Sequence, residues 1–105
     1  MKVYISGKIS DLPMAEVREK FARAEMQIEA FGHTPVNPLN NGLPEDASWE
    51  DQMAASIRML FGCDAIYLLH DWKNSRGARI ERNIADEMGF EVIPQPEYGY
   101  YKSKL

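Results

Sequence analysis

Three stretches of helical periodicity alternate with four short runs of β-branched and aromatic residues, and that alternation leaves the chain few ways to fold. Val3-Tyr4-Ile5 comes first and is closed by Ser6-Gly7. A run so short and apolar suits a strand buried on both faces. Val17, Phe21, Ala24, Ile28 and Phe31 follow at spacings of four, three, four and three, which marks one face of a helix. Asp11 or Ser10 is its expected cap, with Pro13 in its first turn and Gly32 at its end. Thr34-Pro35-Val36-Asn37 reads as a second strand, and Pro35, having no N–H to donate, puts it at a sheet edge or starts it there. The loop from Pro38 to Ala47 holds Asn40, Asn41, Gly42 and Pro44, and has the length of a functional lid.

Ser48 starts the next helix, with Glu50 and Asp51 in an acidic first turn and Trp49, Met53, Ile57 and Leu60 on its apolar face. Asp64 to Leu69 is the clearest strand, and His70 to Asn74 a polar loop. Ser75 opens a third helix that Gly89 ends, and Phe90-Glu91-Val92-Ile93 is the last strand. Strands alternating with helices imply a parallel sheet covered on both faces. The expected fold is α/β, a Rossmann-like or flavodoxin-like three-layer sandwich of four to five parallel strands. The order 2-1-3-4 places the first two crossovers on opposite sides of strand one.

One domain over residues 1–94 accounts for this plan, and residues 95–105 form a C-terminal tail rich in Pro, Tyr and Lys. A 105-residue chain builds only a thin core, which a second subunit would help to cover. Trp49, Met53, Tyr98, Tyr100 and Tyr101 are the residues for such a contact, and a homodimer is its simplest form. The net charge of −4 argues against a nucleic-acid polymer as partner, but not against a small phosphorylated ligand. Cys63, the one cysteine, excludes an internal disulfide and suits a buried structural role in a reducing, cytoplasmic setting. No segment has the length of a membrane span, and no cluster has metal-ligand spacing, so neither a membrane, a metal nor a cofactor is expected.

Ligands of open parallel sheets bind beyond the C-terminal strand ends. Those ends supply Ser6, Gly7 and Lys8, then Asn37, then His70, Asp71 and Trp72, and the third helix adds Ser75, Arg76 and Gly77. Ser6-Gly7-Lys8 suits a phosphate or a sugar hydroxyl, and Trp72 either stacks on a base or anchors its loop in the core. Two features break local rules. Glu81 lies in the apolar stripe Ala78, Glu81, Ala85, Met88. A carboxylate placed so is costly unless it is paired, with an arginine such as Arg58, or functional. Arg76 and Arg79 put cations in a first helical turn, against the helix dipole, which either a bound anion or solvent relieves. Arg82 and Asp86 form an i,i+4 pair.

Tyr4-Ile5-Ser6-Gly7, Cys63-Asp64-Ala65-Ile66 and Ser75-Arg76-Gly77-Ala78-Arg79-Ile80-Glu81 together resemble the nucleoside 2-deoxyribosyltransferase-like superfamily, and within it the small DUF4406 proteins of bacteria and phages. The resemblance covers about the first 93 residues, the stretch whose elements follow the βα plan. It implies that Glu81 is a nucleophile attacking C1′ of a deoxyribose, that Ser75 meets the sugar 5′ end or its phosphate, and that Ser6, Gly7 and Lys8 line the same pocket, with Tyr4 of the same motif a further substrate-binding candidate. It implies a homo-oligomer whose sites neighbours complete. Ser56 stands where the family carries an aspartate, for which Asp51 is the alternative acid, and Lys8 stands where proline is common. Two functions follow: N-glycosidic cleavage or deoxyribosyl transfer on a nucleoside or nucleotide, or a non-catalytic nucleotide-binding or regulatory module.

Overall fold

The computed structural model describes residues 1–96. The elements run β1 (Lys2–Ser6), α1 (Met14–Ala30), β2 (Thr34–Val36), a 3-10 turn (Pro38–Asn40), α2 (Trp49–Phe61), β3 (Ala65–Leu68), a second 3-10 turn (Trp72–Asn74), α3 (Arg76–Glu87) and β4 (Glu91–Pro94). All pairings are parallel and the strand order is β2-β1-β3-β4, as expected from the crossovers. The Pro35 strand lies at the edge. The partner contact expected from Tyr98, Tyr100 and Tyr101 falls outside the described residues. No helix among the described residues is long and apolar enough to cross a membrane.

The two-residue period of the strands sorts side chains onto two faces. Val3 and Ile5 of β1, with Ala65 and Tyr67 of β3, meet Val17, Phe21, Ala24 and Ile28 of α1. Tyr4 and Ile66, one residue on, meet Leu60 of α2 and Ala85 of α3. The domain is therefore three layers, α1 on one side of the sheet and α2 with α3 on the other.

Helix boundaries follow local chemistry with a few departures. Ser48 and Ser75 cap α2 and α3, accepting the N–H groups of Asp51 and Ala78. Gly32 and Gly89 follow α1 and α3 at φ +84° and +75°, where the left-handed turn favours glycine. The expected Asp11 or Ser10 cap does not form: Pro13 occupies the N-cap position of α1 without a side-chain bond, and Asp11 turns the chain at φ 67°. On α2 the buried line runs through Ser56 and Leu60, with Trp49, Met53 and Ile57 only partly covered. Phe31 and Met88, expected on core faces, are 39% and 52% exposed, each being the C-cap residue just past the last turn of its helix.

Candidate active site

Glu81 lies in the second turn of α3, directly above β1, and is 6% exposed. No cation meets it. Tyr4 donates its phenol to Oε2 and Ser6 its hydroxyl to Oε1, each at 2.7 Å. The suggested pair with Arg58 does not form, for Arg58 is exposed on α2. Burial pushes the Glu81 carboxyl above its ordinary value, while the Ser6 and Tyr4 hydrogen bonds pull it back toward ionisation. The Tyr4 phenol is pushed well up by burial and by the charge of Glu81, which keeps it a donor. Both hydroxyls are there because β1 turns alternate residues toward α3.

Glu81 forms part of the wall of a cleft of about 850 Å³ at the C-terminal end of the sheet. The loop after β1 contributes Gly7 and Lys8, α2 contributes Trp49, Met53 and Ser56, and α3 contributes Ser75, Arg76 and Gly77. Leu39, Asn41 and Glu45 bring the long loop over the cleft. That loop is fastened by an Arg18–Glu45 pair to α1 and by the Gln52 side chain, which accepts from Asn41 at 2.7 Å and donates to the Pro44 carbonyl at 3.1 Å.

Two glycines are matters of space. A Cβ on Gly7 would sit 2.5 to 2.9 Å from three Leu69 side-chain atoms, so only glycine lets the β1 loop close against the end of β3. A Cβ on Gly77 would meet Met53 Sδ at 2.9 Å, so the start of α3 lies directly on α2. Arg76, the cation at the wrong end of a helix, rests on the Trp49 ring with its guanidinium carbon 4.0 Å from the centroid. The π-face takes the place of a carboxylate. Arg79 donates to the Lys73 carbonyl at 2.7 Å, and Arg82 pairs with Asp86 as expected.

The structure thus brings Ser6, Gly7, Lys8, Ser75, Arg76, Gly77 and Glu81 to one place, Ser6 through its bond to Glu81 and the others as cleft wall. Four sequence candidates stand elsewhere. Tyr4 is fully buried behind Glu81 and touches it rather than the cleft. Asn37 accepts the Leu39 N–H at 2.9 Å and caps the first 3-10 turn. Asp71 accepts the Lys8 N–H and pairs with Lys20. Trp72 is drawn by its 3-10 turn onto the cluster of Tyr4, Leu60 and Ile66, so the loop-anchor alternative holds. Of the other histidine and acid candidates, His70 Nε2 bonds to the Pro96 carbonyl and Asp51 is exposed outside the cleft wall. Trp49, Arg18 and Glu45 were missed as site residues. The lid-like length of the loop pointed to Glu45, and Trp49 had a signal too, a large aromatic in the first turn of a helix. Among the described residues no group of three or more His, Cys, Asp or Glu could hold a metal ion.

Residues 1–94 match the model of a family described as a domain of unknown function, DUF4406. Among solved structures, a 2-deoxyribosyltransferase from Bacillus psychrosaccharolyticus superposes with a TM-score of 0.68 at 20% identity, over 90% of this chain and 71% of that one. A 2-deoxyribosyltransferase from Leishmania mexicana superposes with a TM-score of 0.65 at 18% identity, over 90% of this chain. The chain spans only 63% of the length of the Leishmania mexicana protein. No curated protein sequence matches it. The shared feature is the fold.

Proposed function

This chain belongs to the DUF4406 family, and from that premise we propose that it breaks the N-glycosidic bond of a nucleoside or nucleotide, with Glu81 as the nucleophile. The observation that carries the reading is the setting of Glu81: a buried carboxylate in a cleft wall, held by two hydroxyls and, among the described residues, by no cation. A stabilising role would call for a cation; a nucleophile needs orientation without neutralisation. The 2-deoxyribosyltransferase structures with the same fold support the class of reaction.

In this reading one Glu81 oxygen attacks C1′ and forms a glycosyl ester. The C1′–N bond breaks, its electron pair leaves with the base, and the base takes a proton from solvent. Water or a second base then attacks C1′ and gives up its proton to solvent, the ester C1′–O bond breaks, and Glu81 departs as a carboxylate. The transition states carry oxocarbenium character, as in retaining glycosidases. Ser6 and Tyr4 fix the carboxylate plane before attack and stabilise it again on release. Since burial holds the Glu81 carboxyl above the ordinary range, cleavage rises with pH through a value higher than that of an exposed glutamate.

Incubation of the protein with mixed nucleosides and nucleotides, followed by chromatography for free base, tests this. Wild type releases base and Glu81→Gln does not, an amide being a poor nucleophile. A 2-fluoro-2-deoxynucleoside slows both steps and leaves a sugar adduct on the Glu81 peptide, seen by mass spectrometry. Equal release by both proteins removes Glu81 from the role. One observation favours the alternative, binding without turnover: α2 presents Ser56, not a carboxylate, to the cleft, and Asp51 does not reach it. Binding of a nucleotide by both proteins with base release by neither establishes that alternative.

A further inference from the structure

The cleft is cationic in an anionic chain. Net charge is −4 overall, yet the cleft wall holds four cations, Lys8, Arg18, Arg76 and Arg79, against the carboxylates of Asp11, Glu45 and Glu81. Three of the four cations are engaged: Arg18 by Glu45, Arg76 by the Trp49 ring, and Arg79 by the Lys73 carbonyl. The Lys8 ammonium has no hydrogen bond or ion pair among the described residues.

The backbone of Lys8 is, by contrast, held from both sides. Its N–H donates to Asp71 Oδ1 at 3.0 Å, and its carbonyl accepts from Lys20 Nζ at 2.5 Å. Lys20 Nζ in turn donates to Asp71 Oδ2 at 2.6 Å, closing a ring of three groups from α1, the β1 loop and the loop after β3. The Lys20–Asp71 pair is mostly shielded, with side chains 22% and 29% exposed, so it is screened less than a surface pair. Neither Lys20 nor Asp71 lines the cleft. Two charged side chains thus hold the backbone of one residue, whose own side chain is the unengaged cation of the cleft among the described residues.

We propose that Lys8 is a specificity-determining residue that makes the cleft select the phosphorylated form of its ligand, and that Lys20 and Asp71 are positioning residues that hold it there. The proposal deepens the function proposed above and rests on its nucleoside or nucleotide occupant. An ammonium is a compact charge that suits a phosphate oxygen, and its attraction is gained only by the charged ligand. A sugar or nucleoside without phosphate meets the same cleft and gains nothing from Lys8.

Calorimetry on the full chain tests this with two ligand pairs: 2-deoxyribose against 2-deoxyribose 5-phosphate, and a deoxynucleoside against its 5′-monophosphate. Wild type binds the phosphorylated member of each pair about tenfold or more tightly, the scale of a hydrogen bond to a charged group. Lys8→Gln brings the ratio close to one. Lys20→Met lowers the ratio with Lys8 intact, and Lys20→Arg, which can still bridge the Lys8 carbonyl and Asp71, restores it. Arg23→Gln, which removes an exposed α1 cation paired with Glu19, leaves the ratio alone. A ratio that survives Lys8→Gln overturns the proposal, as does a wild type that binds both members alike or neither. Lys20→Met weakening both members equally reduces Lys20 to a structural part. Base release from unphosphorylated nucleosides reports on Glu81 independently, so a wild type with no phosphate preference but with Glu81-dependent release rejects this proposal alone. Preference without release rejects the glycosidase reading alone.

Discussion

Against α1, the sheet presents Val3, Ile5, Ala65, Tyr67 and Leu69 to Val17, Phe21, Ala24 and Ile28, and the one polar atom they carry, the Tyr67 hydroxyl, reaches Gln27 at 2.6 Å. Against α2 and α3, the same strands present Tyr4 and Ser6 to Ser56 and Glu81, and the three buried polar or charged residues of the described chain, Ser6, Ser56 and Glu81, all lie on this side. The strands are the same, so the difference is one of residue choice at alternate positions. An apolar face gains stability from every side chain it covers. A face holding a desolvated carboxylate gives some of that up. One side of the sheet secures the fold; the other accepts a cost to hold a reactive group in a fixed orientation.

The largest effect that tests this contrast belongs to the α1 face. Phe21 is fully buried at its centre. Phe21→Ala should lower the unfolding free energy by about 3–5 kcal/mol, a large share of what a small domain has. Urea denaturation measures it. A loss under about 1 kcal/mol would mean that the α1 face does not anchor the fold, and the contrast would break.

Across the sheet the sign reverses. Glu81→Gln keeps the shape, lets the Ser6 and Tyr4 hydroxyls turn to suit an amide, and removes a charge from a dry site. The Glu81 carboxyl is raised above its ordinary value in the fold, so its contribution to stability is complete below the unfolded-state range and is lost as pH rises through the raised value. Wild type and Glu81→Gln should therefore match in stability in acid. At neutral pH the variant should be more stable, by on the order of 1 kcal/mol. Thermal melts across pH 4 to 8, roughly the span from an ordinary glutamate to neutrality, measure the gap. A gap that narrows with rising pH would show that Ser6 and Tyr4 outweigh burial, and that this face too is built for stability.

The sequence made the frame and the anomaly legible, and the reasons are local. The parallel sheet followed from alternation, the strand order from placing the first two crossovers on opposite sides of β1, the edge strand from Pro35, the helix starts from Ser48 and Ser75, and the carboxylate from its place in an apolar stripe. What was not legible depended on contacts between distant segments. The two tryptophans exchange their expected places: Trp72, in a polar loop at the ligand end, is pulled onto the Tyr4 cluster, while Trp49, read as part of an apolar face, lines the cleft under Arg76. Asp71 read as a ligand contact because its partner, Lys20, is 51 residues away and leaves no periodic trace. Asn37 sat at the correct strand end, but its side chain was taken by the backbone two residues on, a local competition common for asparagine. The hydroxyl partners of Glu81 were present as Tyr4 and Ser6, yet only parallel pairing and the crossover of α3 bring them under it.

The smallest effect separates space in the cleft from stability on the same face. Gly77 sits in the first turn of α3, where alanine is the better helix former, and its backbone is not in the left-handed region. The atom its Cβ would crowd is Met53 Sδ at 2.9 Å, part of a flexible side chain on a partly exposed residue. Methionine can turn aside at low cost, and the direction open to it is the cleft that it already lines. Gly77→Ala should therefore leave stability within about 0.5 kcal/mol of wild type, the propensity gain and the displacement nearly cancelling. It should still weaken ligand binding, because Met53 takes up volume from the cleft. Denaturation and calorimetry on the same preparation give both numbers. If stability falls by about 2 kcal/mol, the α2–α3 contact is as tightly packed as the α1 face, and the cost on this side is confined to Glu81. If neither number moves, Met53 has room on its other side, and the cleft wall is set by backbone and not by the methionine.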